Sequence, residues 1–420
     1  MIAEIFPSTF GGCIKATASK SASHRALICA ALCNKPSTIY GLTDSEDIKA
    51  TLSVLEAFGC SYERTVNALI ISPCKRNIKD ITVCCNESGS TARFLLPIAA
   101  ALDAENVTLT GKGRLPERPF KTLTDALREG SVTCSSDNLP ITVNGKLKCG
   151  TYSVPGNISS QYISGLLLAL SITEGQSVIN ITSHLESAGY VDMTISELNA
   201  FGADITKTEN GYIINGKEHL TSTDRTVEGD WSQAAFFLCA GAIKGSVTVE
   251  GLNLDSLQGD KAIVDVLRAF GAKVELGNNS VAVYESDLKG TIVDCAQIPD
   301  LVPIIAVTAA MAEGETIIYN AERLRLKESD RLYETVLRLN AFGIKAEVTE
   351  DGIKIIGSKP SAANITSAND HRIVMAFSVL ASFCKEKSKI EGAKAINKSY
   401  PIFFEDFKKA GGNCNVISDR

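Results

Sequence analysis

Leu339-Asn340-Ala341-Phe342-Gly343 closes a segment in which Leu332, Val336, Leu339 and Phe342 fall at i, i+4, i+7 and i+10. That spacing predicts an amphipathic helix, and a glycine just past the last apolar residue is the usual helix stop. Related endings recur at Leu55-Glu56-Ala57-Phe58-Gly59, Leu127-Arg128-Glu129-Gly130, Leu198-Asn199-Ala200-Phe201-Gly202, Leu267-Arg268-Ala269-Phe270-Gly271 and Lys408-Lys409-Ala410-Gly411. The six glycines are 71, 72, 69, 72 and 68 residues apart. After most of them comes a strand-turn-strand pattern, as in Ala203 to Asn215 around Glu209-Asn210-Gly211. Such a period marks repeated supersecondary units.

A second series keeps the same period. Polar stretches open apolar helices after Lys20-Ser21, Ser88-Gly89-Ser90, Ser159-Ser160-Gln161, Asp230-Trp231-Ser232-Gln233, Pro299-Asp300 and Asp370-His371-Arg372. Taken at Ser21, Ser90, Ser160, Ser232, Asp300 and His371, the steps are 69, 70, 72, 68 and 71 residues. Ser and Asp suit helix N-caps, so simple capping is the plain reading of any one start. Each unit of about 70 residues therefore reads as strand, helix, strand, helix and a strand pair. The fold class is α/β, and six units in 420 residues suggest two domains of three.

Charge is unevenly placed on this frame. Arg323-Leu324-Arg325-Leu326-Lys327-Glu328-Ser329-Asp330-Arg331 carries four cations into the start of the helix that ends at Gly343. Lys20, Arg25, Arg93 and His371-Arg372 lie in first turns of other helices. Gly111-Lys112-Gly113-Arg114-Leu115-Pro116-Glu117-Arg118-Pro119 reads as a stiff cationic loop, and Lys398-Ser399-Tyr400-Pro401 as a second. Helix N-termini favour anions, and arginine forks match carboxylate and phosphate. The pattern points to a ligand, or a pair of ligands, with several anionic groups. No P-loop and no Gly-x-Gly-x-x-Gly opening a helix is present. The four histidines show no His-x-x-x-His spacing, so no catalytic metal is expected; His24 is read as lying on a helix face beside Arg25.

Net charge of −6 argues against binding nucleic acid through overall charge. The longest apolar run, Ile163 to Ile172, is broken by Ser164, Gly165 and Ser171, so no membrane span is expected. The N-terminus lacks a basic segment followed by an apolar run, so no secretory signal is expected. Thirteen cysteines without a Cys-x-x-Cys pair read as reduced thiols of a cytoplasmic protein.

Nine motifs in register resemble one family. They are Lys20-Ser21-x-x-x-Arg25, Gly89-x-x-x-Arg93, Arg114-Leu115-Pro116-Glu117-Arg118-Pro119, Ser159-Ser160-Gln161, Ser187-x-x-Tyr190, Ile298-Pro299-Asp300, Lys327-Glu328-Ser329-Asp330-Arg331, Asp370-His371-Arg372 and Lys398-x-x-Pro401. Together they resemble the 3-phosphoshikimate 1-carboxyvinyltransferases, or EPSP synthases, of the enolpyruvyl transferases, over essentially the whole chain. The resemblance implies two similar domains of three βαβαββ units each (an inverse α/β barrel), hinged around a cleft. Residues 1–15 with 228–420 would form the first domain, completed by the N-terminal strand, and 16–227 the second. The implied reaction joins shikimate 3-phosphate and phosphoenolpyruvate, releases phosphate through a tetrahedral intermediate, and is the sixth step toward chorismate. It implies no cofactor and no metal, small-molecule partners only, a monomer, and competition by glyphosate at the phosphoenolpyruvate pocket.

Carried over by motif, Lys20, Ser21, Arg25, Ser159, Ser160, Gln161, Ser187, Asp300 and Lys327 would bind shikimate 3-phosphate. Lys20, Gly89, Arg114, Arg331, Arg372 and Lys398 would bind phosphoenolpyruvate. Asp300 would accept the hydroxyl proton; Glu328, with Lys20 as rival, would protonate the methylene. Two positions depart from the family pattern: Glu87 and Arg323 stand where many members have Asn. The related UDP-N-acetylglucosamine enolpyruvyl transferases typically carry Lys-Asn near the N-terminus and a catalytic cysteine in the 112–119 loop. Lys20-Ser21, and the lack of cysteine between Cys85 and Cys134, speak against that assignment. A non-catalytic binder of phosphorylated metabolites is the other alternative; intact Lys20, Asp300, Lys327 and Glu328 argue against it.

Overall fold

The computed structural model describes residues 1–418. The chain forms two compact units, Met1–Thr17 with Glu228–Arg420, and Ala18–Val227. The first crossing thus falls two residues beyond the expected one. Each unit has its own apolar core.

Twelve α-helices alternate in role among the described residues. The first helices of the six repeats are α1 (Lys20–Ala31), α3 (Gly89–Ala101), α5 (Ser160–Leu170), α7 (Trp231–Ile243), α9 (Val302–Met311) and α11 (His371–Ala381). The second helices are α2 (Glu46–Ala57), α4 (Lys121–Glu129), α6 (Ala188–Ala200), α8 (Ile263–Ala269), α10 (Arg331–Ala341) and α12 (Phe403–Lys409). The first helices are apolar nearly all round. In α3, α7, α9 and α11 almost every residue is buried, as a helix inside a core must be. The second helices bury one stripe only, as in α10, where Leu332, Val336 and Leu339 are buried and Tyr333 and Leu337 exposed.

Six four-stranded sheets surround these helices. Residues alternate between core and outer face, as in Ser280–Tyr284. In a regular repeat the leading strand runs parallel to the second, and the hairpin folds back beside it: Thr151–Val154, Gly175–Ile181, Gly211–Gly216, Asp204–Thr208.

Where the chain passes between units, strands leave their own repeat. Phe10–Lys15 precedes α1 in sequence but pairs with Gly245–Glu250, in front of α7 in space. The leading position beside Ser37–Tyr40 is filled instead by Arg225–Thr226. Ile2–Phe6 lies between Ser388–Glu391 and Asn413–Ile417, completing the last repeat from the chain's start.

Helix starts are offset from the periodic marker residues. The side chains of Ser19, Ser88, Ser159, Asp230 and Asp370 accept the first-turn N–H groups of α1, α3, α5, α7 and α11. Ser21, Ser90, Ser160, Ser232 and His371 therefore stand inside the first turns. The remaining member of the series, α9, has no side-chain cap; Asp300 sits in a 3₁₀ turn before it.

Candidate active site

In the unit 228–420, the carboxylate left uncapped at α9 becomes the centre of an ion network. Asp300 Oδ1 meets Arg331 Nη1 at 2.9 Å and Lys327 Nζ at 3.3 Å. Its Oδ2 accepts from Arg372 Nη2 at 3.1 Å, and its main-chain oxygen from Arg372 Nη1 at 3.0 Å. Arg331, the first residue of α10, is 1% exposed and engages two further carboxylates. Its Nε donates to Asp370 at 2.7 Å and its Nη2 to Glu328 at 2.6 Å. Asp370 also caps α11, through the Arg372 N–H at 2.9 Å, and accepts from Ser329 Oγ at 3.0 Å. Lys398 reaches the same corner, donating to the Asn369 carbonyl at 2.6 Å.

Burial opposes every charge here, so the partners decide. Desolvation works against the Arg331 cation, yet Asp370, Glu328 and Asp300 outweigh it and hold its pKa above the usual range. Asp370 is the mirror case: burial favours its neutral form, but Arg331 keeps it ionised and its pKa low. For Lys327 desolvation wins over the attraction of Asp300, and its pKa falls to about 8. Asp260, absent from the motif reading, is buried beneath this group and accepts from Ser232 Oγ. Burial and then the charge of Asp300 raise its pKa, while Arg372 pulls it down.

In the unit 18–227 the expected residues gather at the starts of α1, α3, α5 and α6. Arg25 crosses from α1 to α6: its Nε donates to Thr194 Oγ1 at 2.8 Å and its Nη2 to the Tyr190 carbonyl at 2.8 Å. Its Nη1 holds the Ser21 carbonyl at 2.7 Å, and the guanidinium lies 5.2 Å from the Phe94 ring centroid. Desolvation lowers the Arg25 pKa to about 10, which leaves it charged at neutral pH. Lys20 pairs with Asp47 of α2 at 2.8 Å. Gln161 accepts from Arg93 Nη1 at 2.7 Å and donates to Ser90 Oγ at 2.9 Å, tying α5 to α3. Gly165 permits that approach; a Cβ there would lie 2.3 Å from the Arg93 carbonyl. Ser187 is buried at the start of α6 with φ +53°, a left-handed conformation that disfavours a side chain.

The cationic loop is sorted differently from the motif reading. Arg118 is buried with its guanidinium against Gly89: a Cβ on Gly89 would lie 2.8 Å from Arg118 Nη1. Arg114 is 38% exposed and sits 3.7 Å from Glu117. Glu87 packs on Gly113, where a Cβ would come within 2.6 Å of its carboxylate. Arg323 donates to the Ala296 carbonyl in the loop leading to Asp300. Among the described residues, no group of three or more His, Cys, Asp or Glu is placed to hold a metal ion.

The sequence matches the family model for EPSP synthase (3-phosphoshikimate 1-carboxyvinyltransferase) over residues 7–407. The chain belongs to the EPSP synthase family. It is 43% identical to the 3-phosphoshikimate 1-carboxyvinyltransferase of Clostridium kluyveri, over 99% of this chain and 98% of that protein. The enzyme of the same name from Clostridium acetobutylicum is 42% identical over 99% and 98%. An EPSP synthase structure from Acinetobacter baumannii superposes with a TM-score of 0.82 at 26% identity, covering 99% of this chain and all of that one. The enolpyruvyl transferase NikO from Streptomyces tendae shares the fold at TM-score 0.80 and 17% identity. The protein thus has the two-domain enolpyruvyl transferase fold, built from three βαβαββ repeats per EPSP synthase domain.

Proposed function

We propose that the protein transfers the enolpyruvyl group of phosphoenolpyruvate to the 5-hydroxyl of shikimate 3-phosphate and releases phosphate, as a 3-phosphoshikimate 1-carboxyvinyltransferase. The observation that carries the reading is Arg331 shared among Asp300, Glu328 and Asp370. Addition of a hydroxyl to an enol carbon needs a proton acceptor, a proton donor and fixed cations. Here the two functional carboxylates hang on one arginine, with Lys327 and Arg372 beside them.

Arg331, Arg372 and Lys398 are assigned to phosphoenolpyruvate, with Lys20 and Gly89. Arg118 replaces Arg114 in this set, because only Arg118 is buried against Gly89. Lys20, between both substrates, joins Ser21, Arg25, Ser159, Ser160, Gln161, Ser187, Asp300 and Lys327 in the set assigned to shikimate 3-phosphate. Asp300 takes the hydroxyl proton. Its carboxylate is tied to Arg331, Arg372 and Lys327, and an anion drawing on those cations frees it to accept the proton. The same exchange acts on Glu328. An anion on Arg331 loosens the 2.6 Å pair and frees the Glu328 carboxyl to face the methylene it protonates. The protein acts as a monomer, and its thirteen free cysteines suit a reducing cytoplasm.

The test is incubation with both substrates and mass-spectrometric search for the carboxyvinyl ether of shikimate 3-phosphate. Its formation supports the reading. Its absence, with shikimate 3-phosphate recovered unchanged, refutes it.

A further inference from the structure

Three polar links tie the starts of α1, α3 and α5 together. Arg93, Gln161 and Ser90 join α3 to α5. Arg25 and Ser164, both bonded to Thr194, join α1 to α5 by way of α6. The third link runs from α1 through α2 to α3, and none of its members has a role in the reaction described above. His24 Nδ1 meets Thr51 Oγ1 at 2.8 Å, Thr51 Oγ1 meets Thr91 Oγ1 at 2.7 Å, and Thr91 donates to Ser88 Oγ at 2.8 Å. His24, Thr51 and Thr91 are wholly buried and Ser88 nearly so.

The direction of the chain follows from the single proton of each hydroxyl. Thr91 gives its proton to Ser88, so Thr51 gives to Thr91, and the imidazole gives its Nδ1–H to Thr51. The imidazole therefore carries a proton on Nδ1. Desolvation first, then the charges of Lys20 and Arg25, hold its pKa well below the usual range. The ring stands edge-on to Phe94, 6.5 Å between centroids. Nε2 makes no hydrogen bond among the described residues. A leucine would fill most of this volume at lower desolvation cost, so the imidazole at this place is explained by the bond at Nδ1.

Both ends of the link meet the reaction. Ser88 caps α3, whose first residue is Gly89. Thr51 lies one turn along α2 from Asp47, which holds the Lys20 ammonium, and Thr91 is also 3.4 Å from the Asp47 carbonyl. We propose that His24 is a positioning residue: through Thr51 and Thr91 it sets Lys20 and the Gly89 turn at a fixed separation for phosphoenolpyruvate. This rests on assigning Lys20 and Gly89 to that substrate. Arg25, which also holds the Ser21 carbonyl, is anchored separately on α6, so binding of shikimate 3-phosphate depends on the link less than binding of phosphoenolpyruvate does.

The experiment measures KM for each substrate, with melting curves, in His24→Leu, Thr51→Val, the double variant and His24→Asn. Each of the first two raises KM for phosphoenolpyruvate about fivefold, the scale of one buried hydrogen bond. KM for shikimate 3-phosphate stays within about twofold, and the double variant is no worse than His24→Leu, because one chain has been cut twice. His24→Asn keeps a donor near the Nδ1 position and restores most of the loss. Lower melting temperatures with an unchanged KM for phosphoenolpyruvate, additive effects in the double variant, or equal rises in both KM values overturn the proposal. If His24→Leu does not fold, Thr51→Val and His24→Asn decide it: the first must raise KM for phosphoenolpyruvate and the second must not. Gly89→Ala separates the underlying assignment. If it leaves KM for phosphoenolpyruvate unchanged, that assignment fails; if it raises KM while the His24 and Thr51 variants do not, the positioning role alone fails.

Discussion

Replacing Arg331 by methionine keeps much of the side-chain volume and removes one charge from among three carboxylates. Asp370 bears most of the consequence, because its side chain is fully buried while those of Asp300 and Glu328 are each 18% exposed. Asp370 keeps the Arg372 N–H and Ser329 Oγ, but loses the cation that holds it ionised. Breaking a buried pair from one side costs ~3–5 kcal/mol. Asp300 retains Arg372 and Lys327, so the lower part of that range applies. At ~2–4 °C per kcal/mol for a domain of this size, the melting temperature falls by roughly 10 °C at neutral pH.

The pH dependence is the sharper part. In the parent protein Asp370 has a depressed pKa, so its contribution is present above the unfolded carboxylate value of ~4 and is lost as pH falls through the folded value. In Arg331→Met burial dominates and the Asp370 pKa rises above that of the unfolded chain. Protonation then relieves the variant as the pH drops, and the gap to the parent narrows below about pH 5. Thermal melts of both proteins from about pH 4 to 8 read this directly. A loss under about 2 °C at neutral pH, or a gap that widens as pH falls, refutes the reasoning.

Asp300→Ala lowers kcat about 10²–10⁴-fold with both substrates still bound, as expected when a general base is removed; near-normal turnover in steady-state assays would take Asp300 out of that role. Arg118→Met raises KM for phosphoenolpyruvate at least about tenfold, the scale of a lost charge-assisted bond, while Arg114→Met changes it less than about twofold; the reverse ranking would restore Arg114. With its pKa near 8, Lys327 loses its charge as pH rises through that value, so KM for shikimate 3-phosphate climbs above about pH 8. Lys327→Arg removes the climb, and a flat profile in the parent contradicts the assignment. Because this lysine's folded pKa is lowered, its contribution to stability is full above ~10.5 and is lost as pH falls through about 8, opposite to the trend in binding.

The repeat was readable because a buried helix must end and the hairpin after it must turn: Leu339 to Gly343 carries both signals, and its relatives repeat them. The strand exchange was not readable. Arg225–Thr226 is a two-residue strand without periodicity, and Phe10–Lys15 looks like the natural leader of α1 until its partner Gly245–Glu250 is known. The charged motifs located the ion network around Arg331, but motif order could not rank the arginines of the 111–119 loop. That ranking depends on backbone turns which bury Arg118 and expose Arg114. Asp260 and His24 were passed over for a common reason. Each stands among ordinary polar neighbours, Ser23 and Arg25 for His24 and Gln258 and Lys261 for Asp260, and its partner, Thr51 or Ser232, lies 27 or 28 positions away. Capping was misplaced by one or two residues for Ser21, Ser90, Ser160, Ser232 and His371, since serine and aspartate neighbours compete for the cap and only geometry selects one.

The central claim is the identity of the two substrates. Phosphate release from phosphoenolpyruvate, followed with shikimate 3-phosphate and separately with UDP-N-acetylglucosamine as acceptor, tests it most directly. The account predicts stoichiometric release with shikimate 3-phosphate and none with the nucleotide sugar. Release with the nucleotide sugar alone, or with neither acceptor, would contradict it.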